Sequence, residues 1–277
     1  MKPTTYQMPA FAVVLLGGLI LLTTATTEVE AHGMRASLAF WGAFPTHTAI
    51  CQRTIAGALA YCAQRAVWLR DECSRQVLQG QICDSPATER AVEAARTQAQ
   101  DAIDEFCNDD DAMSLNFLGV IEIQSDITNA CRRTDSYFMP LVYAPTATAN
   151  AVQKRCILAT ADAVSETHRA GWRAMRAAFD RIAARNLAPS KKLDLLAAAQ
   201  KQVASLVNRL MTYIDSHCSA ADFQSTYDKD GPTFFATVTA QVECGAGAAY
   251  VQNQVMCDPT ATATFLTVPT PTPTQIS

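Results

Sequence analysis

The sequence has little charge, and neither sign dominates. Only 17% of its 277 residues are Asp, Glu, Lys or Arg, and the formal net charge is −4. Proteins that bind nucleic acids usually carry a basic stripe or have a high isoelectric point. This balance therefore argues against nucleic acid as a partner.

Recognisable catalytic motifs are missing as well. The chain has no G-x-S-x-G nucleophile elbow, no H-E-x-x-H zinc motif and no glycine-rich phosphate loop. Its ten cysteines never stand in a C-x-x-C or C-x-x-C-H arrangement, which would indicate a redox, metal or haem site. We therefore expect no catalytic residues and no cofactor, and we interpret the protein as non-enzymatic.

A long apolar run occurs once, near the start of the sequence. Lys2 precedes an apolar segment at residues 9–22, and small and polar residues follow it. This layout is typical of a secretory signal peptide, and the run is shorter than the ~20 residues of a comfortable membrane span. We expect residues 1–31 to be a signal peptide cleaved after Ala31, with Ala25 as the second choice. The product would be secreted or periplasmic, with no membrane span.

The cysteines are the most informative residues that are present. All ten follow the predicted signal peptide, and an even number of cysteines in an exported chain favours a disulfide framework. Cys51, Cys62 and Cys73 are spaced eleven residues apart, which is about three helical turns and ~16 Å along the axis. They share a face but cannot touch one another, because a disulfide needs Cα atoms within about 7 Å. Each must pair with a cysteine on another element.

Hydrophobic periodicity indicates an all-α fold. Apolar residues recur at three- and four-residue steps, and they predict an amphipathic helix in each of several segments. Pro86 and a capping Asp84 or Ser85 mark the start of the second segment. The signal is weaker in residues 220–257, which we also interpret as helical. The stronger segments are residues 46–79, 85–107, 117–133, 148–186 and 193–218.

The order of these segments suggests two tandem units, each a disulfide-stapled helical hairpin with a third helical element. Cys51, Cys107 and Cys131 correspond in spacing to Cys156, Cys218 and Cys244, which favours a tandem repeat. The first unit would span residues 46–147, after an N-terminal extension at 32–45, and the second residues 148–259. Residues 260–277 are rich in Thr and Pro and are expected to form a disordered tail.

The predicted turn at Ala188 lies midway between Cys156 and Cys218. An antiparallel hairpin folded there brings both cysteines level at its open end, so we predict that they form a disulfide. By analogy with this hairpin, Cys51 would pair with Cys107. Cys73 and Cys83 flank the first turn and would close it, and Cys244 and Cys257 are near each other in the sequence. Cys62 and Cys131 would then pair by elimination.

Two weaker interpretations involve metal ions. Cleavage after Ala31 would expose the start "HG", which resembles that of bacterial lytic polysaccharide monooxygenases, where an N-terminal histidine holds copper. In this chain His32 would need a second ligand from His47, His168 or His217, and those enzymes are β-sandwiches. The acidic run that contains Asp109 and Asp111 would offer carboxylates to calcium, as would "DKDG" at 228–231. Solvated charge at helix ends is the favoured explanation for both acidic segments.

Two further hypotheses concern ligands and partners. A small apolar ligand would fit between helices, where such sites are common, and Trp172, Met175 and Phe179 would line its cavity. Phe40, Trp41 and Phe44 would either cap the helices or form an exposed patch for a protein or cell-surface partner, and capping is favoured.

The stretch from "CQRTIAGALAY" to "AVEAARTQAQDAIDEFC" resembles an uncharacterised group of exported, cysteine-containing helical repeat proteins of environmental bacteria. The residues that carry the resemblance lie within positions 49–119, with a degenerate echo at 156–222. The resemblance implies an exported helical fold and no known activity, and Cys62 departs from the pattern. The leading interpretation is an exported structural or interaction module stabilised by disulfides. The matching positions are Cys51, Gln52, Ile55, Cys73, Cys83 and Cys107.

Overall fold

A computed structural model describes residues 45–115, 117–143, 149–185 and 187–250 of the chain. Every regular element in these residues is helical, as the sequence predicts. The predicted signal peptide, residues 32–44 of the predicted N-terminal extension and the Thr/Pro-rich tail lie outside the described residues. The helices are α1 (Thr46–Leu78), α2 (Ser85–Phe106), α3 (Asp109–Ser114), α4 (Val120–Tyr143), α5 (Ala151–Glu166), α6 (Trp172–Ala183), α7 (Pro189–Asp215), α8 (Ala220–Tyr227) and α9 (Gly231–Ala248).

Helices α1 and α2 form the first hairpin, and their ends follow local sequence signals. Gly80 adopts a φ of 78° just after α1, a left-handed conformation that glycine adopts without steric cost. Asp84 then caps α2, because its carboxylate accepts a hydrogen bond from the Ala87 backbone N–H at 2.9 Å. Both observed helices agree with the predicted segments to within one residue at each end.

The prediction for the third helical segment was wrong at its end. Helix α4 continues ten residues beyond position 133 and includes Pro140. Phe138 and Val142 are each 1% exposed, so this extra length buries apolar surface against the rest of the molecule. That burial outweighs the backbone hydrogen bond that Pro140 cannot donate. The short helix α3 was not predicted either, and Asn108 caps it by accepting a hydrogen bond from the Asp111 N–H.

The second hairpin consists of one long rod and helix α7. The rod is the predicted helix of residues 148–186, but a π-helical turn at Thr167–Gly171 separates α5 from α6. The capping box of Asn150 and Gln153 starts this rod. After a short turn, α7 returns antiparallel along the rod. Residues 228–230 separate α8 from α9, and Gly231 and Pro232 lie in the first turn of α9.

Four disulfides connect these elements, and they are four of the five pairs that the sequence predicts. Three of them join α1 to α4 or to the residues that flank α2, and one closes the open end of the second hairpin. The fifth predicted pair includes Cys257, which lies outside the described residues. The pairs are Cys51–Cys107, Cys62–Cys131, Cys73–Cys83 and Cys156–Cys218, with Cα–Cα distances of 4.8, 5.8, 5.2 and 4.8 Å.

The two hairpins pack on each other around one hydrophobic core. Helix α1 contacts α2 and α4 of the first part of the chain and α5 and α6 of the second hairpin, while α4 also contacts α5 and α9. Near the start of α1, the buried Gln52 side chain donates a hydrogen bond to the Ala249 carbonyl at 2.9 Å. Near its end, Arg75 forms an ion pair with Asp162 at 2.8 Å. The Arg75–Asp162 pair joins the two hairpins directly, and the Gln52 hydrogen bond ties the start of α1 to the residue that follows α9.

Candidate functional site

His47 is paired with the acidic run that the sequence analysis singled out. Its Nδ1 contacts Oδ2 of Asp111, and the Thr48 hydroxyl donates to the other carboxylate oxygen at 2.7 Å. Burial raises the pKa of Asp111, but the hydrogen bonds from Thr48 and His47 outweigh this effect, and the pKa is lowered overall. The carboxylate therefore stays charged and ties α3 to the first turn of α1.

His168 lies in the π-helical turn and is 1% exposed. The Phe138 and Trp172 rings are each 5.0 Å from its imidazole, centroid to centroid, and its Nε2 has no hydrogen-bond partner. Desolvation by burial lowers the pKa of His168 to about 3. The side chain is therefore a neutral core residue at ordinary pH.

His217 is exposed and forms a local interaction at the end of the second hairpin. Its Nδ1 lies 2.9 Å from the Tyr213 carbonyl oxygen and 2.8 Å from the Ser216 hydroxyl. The three described histidines thus occupy three different environments. Among the described residues, no group of three or more His, Cys, Asp or Glu side chains is arranged to hold a metal ion. His32, the central residue of the copper hypothesis, lies outside the described residues.

The acidic segments considered for calcium act as helix caps. Asp109 accepts a hydrogen bond from the Val120 backbone N–H at 2.9 Å. Asp228 ends α8 in a left-handed conformation, and Asp230 caps α9 by accepting from the Thr233 N–H at 2.7 Å. Negative charge at a helix N-terminus is favourable because it compensates the exposed N–H groups.

A polar network that the sequence analysis missed crosses the interface between the hairpins. Tyr143 donates a hydrogen bond to Asp71 at 2.6 Å, and Asp71 also pairs with Arg75 at 2.7 Å. Arg75 reaches Asp162, which accepts a further hydrogen bond from Tyr213 at 3.1 Å. Burial, together with the Asp71 carboxylate, raises the pKa of Tyr143, so its hydroxyl remains a donor. The sequence signal that could have revealed this network is Asp71, an acidic residue on the buried side of α1.

Trp172, Met175 and Phe179 are all buried, as an internal ligand site would require, but helices of the protein itself pack against them. The Phe179 ring stacks on Tyr250 at 5.2 Å. The Trp172 ring lies so close to Gly245 that a Cβ added there would be 2.6 Å from a ring carbon. Two of the three residues assigned to the ligand site, Trp172 and Phe179, therefore pack against α9 and the residues after it.

An exposed aromatic face on α1 was also missed. Trp68 and Tyr61 are 47% and 41% exposed and stand seven residues apart, which places them on the same side of the helix. The guanidinium of Arg65, between them, lies 4.4 Å from the Trp68 ring centroid. The Tyr61 hydroxyl donates to Gln98 on α2 at 2.6 Å. The seven-residue spacing of the two aromatic residues was the signal that sequence reasoning could have used.

The helix that carries both aromatic rings is anchored by neighbouring residues. Cys62, next to Tyr61, is fully buried in its bridge to Cys131 on α4, and the pair of Arg70 and Glu89 fixes α1 to α2 at 2.9 Å. We name Tyr61, Arg65 and Trp68 the aromatic face. It combines an exposed tryptophan, an arginine and a tyrosine, which are the residue types that most often dominate the binding energy at protein interfaces.

Comparisons with protein-family models, curated proteins and solved structures find no match to this chain. Within the residues that the structure describes, no helix combines the length and the apolar character that crossing a membrane requires.

Proposed function

We propose that this protein is an exported, non-enzymatic interaction module, stabilised by disulfides, that presents the aromatic face to a protein partner. The observation that carries the proposal is the set of bridges on α1, which anchor the helix bearing this face at three levels. Disulfides form and persist in oxidising compartments, which supports export. The predicted signal peptide supports it independently.

Rigidity is what makes such a scaffold suitable for binding. A surface that is already ordered loses little conformational freedom when a partner docks on it, and this increases affinity. The aromatic face meets this condition because α1 is covalently tied to α2 and α4. Arg65 further restricts Trp68 by a cation–π contact, which is worth roughly 0.5–1 kcal/mol at an exposed site.

The relationship to exported helical repeat proteins remains part of the proposal. The residues that carry the resemblance lie on or next to the first hairpin, and four of them are cysteines in bridges. Membership of that group would place the protein outside the cytoplasm and would assign no reaction to it.

Photo-crosslinking in the cells that produce the protein tests the proposed function. A benzoylphenylalanine at position 68 should yield a discrete protein adduct, because this side chain lies in the aromatic face. The same probe at Val77, which is 59% exposed on another side of α1, is the matched control. Equal adducts at both positions, or none at either, would contradict the assignment.

A Trp68→Ala variant provides the stability control. Because Trp68 is only half buried, its loss should lower the free energy of unfolding by about 1–2 kcal/mol, the lost cation–π contact with Arg65 included, and leave the protein folded. The adduct formed from a probe at position 61 should nevertheless disappear in this variant. A variant that keeps this adduct would show that Trp68 is not part of the binding surface.

A further inference from the structure

One end of the molecule carries an acidic surface with exposed apolar residues. No Lys or Arg stands between Arg96 and Arg132, whereas eight Asp or Glu residues do. The contacts of Asp111 with His47 and Thr48 place the middle of this stretch against the first turn of α1. We call residues 101–122 the acidic half of this end.

The same end carries a basic surface on the second hairpin. Seven Lys or Arg residues and one Asp stand in residues 169–192. Asp162 pairs with Arg75 near the end of α1, whereas Arg176 approaches the Arg53 carbonyl near its start. The rod of α5 and α6 therefore runs antiparallel to α1, and the turn between α6 and α7 lies level with the start of α1. Arg181, Arg185 and Lys191 in and beside this turn form the basic half.

Large apolar side chains are exposed within the acidic half. Leu118 and Ile121 are 87% and 82% exposed, and Met113 is 56% exposed. Exposed apolar residues that occur singly are normal, but a group within nine residues indicates an interaction site. In the basic half, Leu193 is 37% exposed and offers an apolar contact.

We propose that this end binds a second copy of the chain in a twofold-symmetric dimer. A twofold axis in the plane of contact places the acidic half of each copy on the basic half of the other, so the same complementary contact forms twice. Charge complementarity of this kind steers association and fixes the register. The inference is independent of the aromatic face, which lies on the side of α1.

The alternative occupant is this chain's own flanking sequence. Position 45 precedes the start of α1, and the hydrogen bond from Gln52 to the Ala249 carbonyl places the last described residues near the same end. A chain that covers this end by itself would be monomeric, which separates the two possibilities experimentally.

The test is sedimentation velocity on the processed, disulfide-bonded protein. We expect a dimer at low salt whose dissociation constant increases at least tenfold in about 1 M NaCl, where the Debye length falls to about 3 Å. A monomer at low salt would overturn the proposal and leave this end to the flanking segments. A dimer that is indifferent to salt would overturn it as well.

Charge reversal with complementation sharpens the test. One variant carries Glu105→Lys and Asp110→Lys, the other Arg185→Glu and Lys191→Glu, and each alone should be monomeric. Their equimolar mixture should form a heterodimer, because one contact then joins the two sets of reversed charges and the other is the unchanged native contact, so both are attractive. The control is Lys201→Glu with Arg209→Glu, which reverses two exposed charges elsewhere on α7 and should leave the dimer intact. Failure of the mixture to associate, or dissociation of the control, contradicts the proposed surface.

Discussion

Asp71 and His168 are both buried, but their polar atoms are satisfied differently. Asp71 accepts hydrogen bonds from Tyr143 and Arg75, whereas Nε2 of His168 has no partner. An unsatisfied buried polar atom costs about 1–3 kcal/mol, and a satisfied one contributes modestly to stability. The packing of Phe138 and Trp172 against the His168 imidazole compensates for the free-energy cost of its unsatisfied Nε2.

His168 should make the protein sensitive to mild acid. Its pKa is about 3 in the folded state and about 6.5 in the unfolded chain. Between these values the unfolded chain binds more protons, so the free energy of unfolding falls as the pH falls, by up to ~1.4 kcal/mol per pH unit. Most carboxylates titrate at lower pH, which isolates the histidine effect between about pH 6.5 and 5.

A His168→Leu variant should remove this pH dependence and be at least as stable as the parent at pH 7. Urea unfolding at pH 7.5, 6 and 5 measures both effects. The control is His217→Leu, which makes the same substitution at an exposed histidine and should keep the parent's slope. If the parent and the His168→Leu variant lose stability equally between pH 6.5 and 5, the proposed role of His168 is wrong.

Two helical glycines should respond in opposite ways to replacement by alanine. At Gly245 the new Cβ would lie 2.6 Å from the rigid, buried Trp172 ring, so Gly245→Ala should destabilise the protein by about 1–3 kcal/mol. At Gly57 it would meet only the end of the Arg176 side chain, at 3.3 Å, and that side chain can move. Gly57→Ala should therefore stabilise the helix by roughly 0.5–1 kcal/mol. Thermal unfolding distinguishes the two, and equal shifts would contradict the packing described here.

At the level of elements, each hairpin is stabilised by a bridge that closes a long loop. Cys156 and Cys218 are 62 residues apart, whereas Cys73 and Cys83 are separated by only 10. On the chain-entropy estimate, the Cys156–Cys218 bridge stabilises the folded protein by about 4 kcal/mol and the Cys73–Cys83 bridge by about 3 kcal/mol. The long loop matters more because an open chain of that length has more conformations to lose.

Removal of the Cys156–Cys218 bridge should therefore destabilise the protein more than removal of the Cys73–Cys83 bridge. We expect the Cys156→Ala/Cys218→Ala variant to lose at least about 1 kcal/mol more than Cys73→Ala/Cys83→Ala, and burial of Cys156 and Cys218 adds a cavity cost. Urea unfolding of both variants measures the difference. The reverse order would show that the small loop constrains the native state in a way that loop entropy does not describe.

The predictability of the elements depended on where their signals lie. The start of α2 was accurate because Asp84 and Pro86 are local signals that act within one turn. The end of α4 was not, because Pro140 is locally unfavourable and the compensating burial of Phe138 comes from the second hairpin. The π-helical turn at Thr167–Gly171 likewise has no sequence signal that separates it from an ordinary helix.

For the whole molecule, the shared core implies cooperative unfolding. Neither hairpin buries its apolar face alone, since α1 and α4 both contact α5. In a variant with Trp41→Phe and Trp68→Phe, the fluorescence of Trp172 reports on the second hairpin, while far-UV circular dichroism reports on all helices. We expect the two urea midpoints to coincide. Separate midpoints would indicate two independently folding units.

The sequence by itself determined the helical class and the bounds of α1 and α2, and it predicted the four cysteine pairs that the structure contains. These depend on periodicity, caps and the arithmetic of helical turns, all of which are local or nearly so. Only the tertiary structure decided that Asp71, Tyr143 and Arg75 form one network, that His168 is a neutral core residue, and that Trp68 faces outward while Trp172 is buried. Such outcomes depend on which helix faces pack together, and the contact energies that select this packing come from residues far apart in the chain.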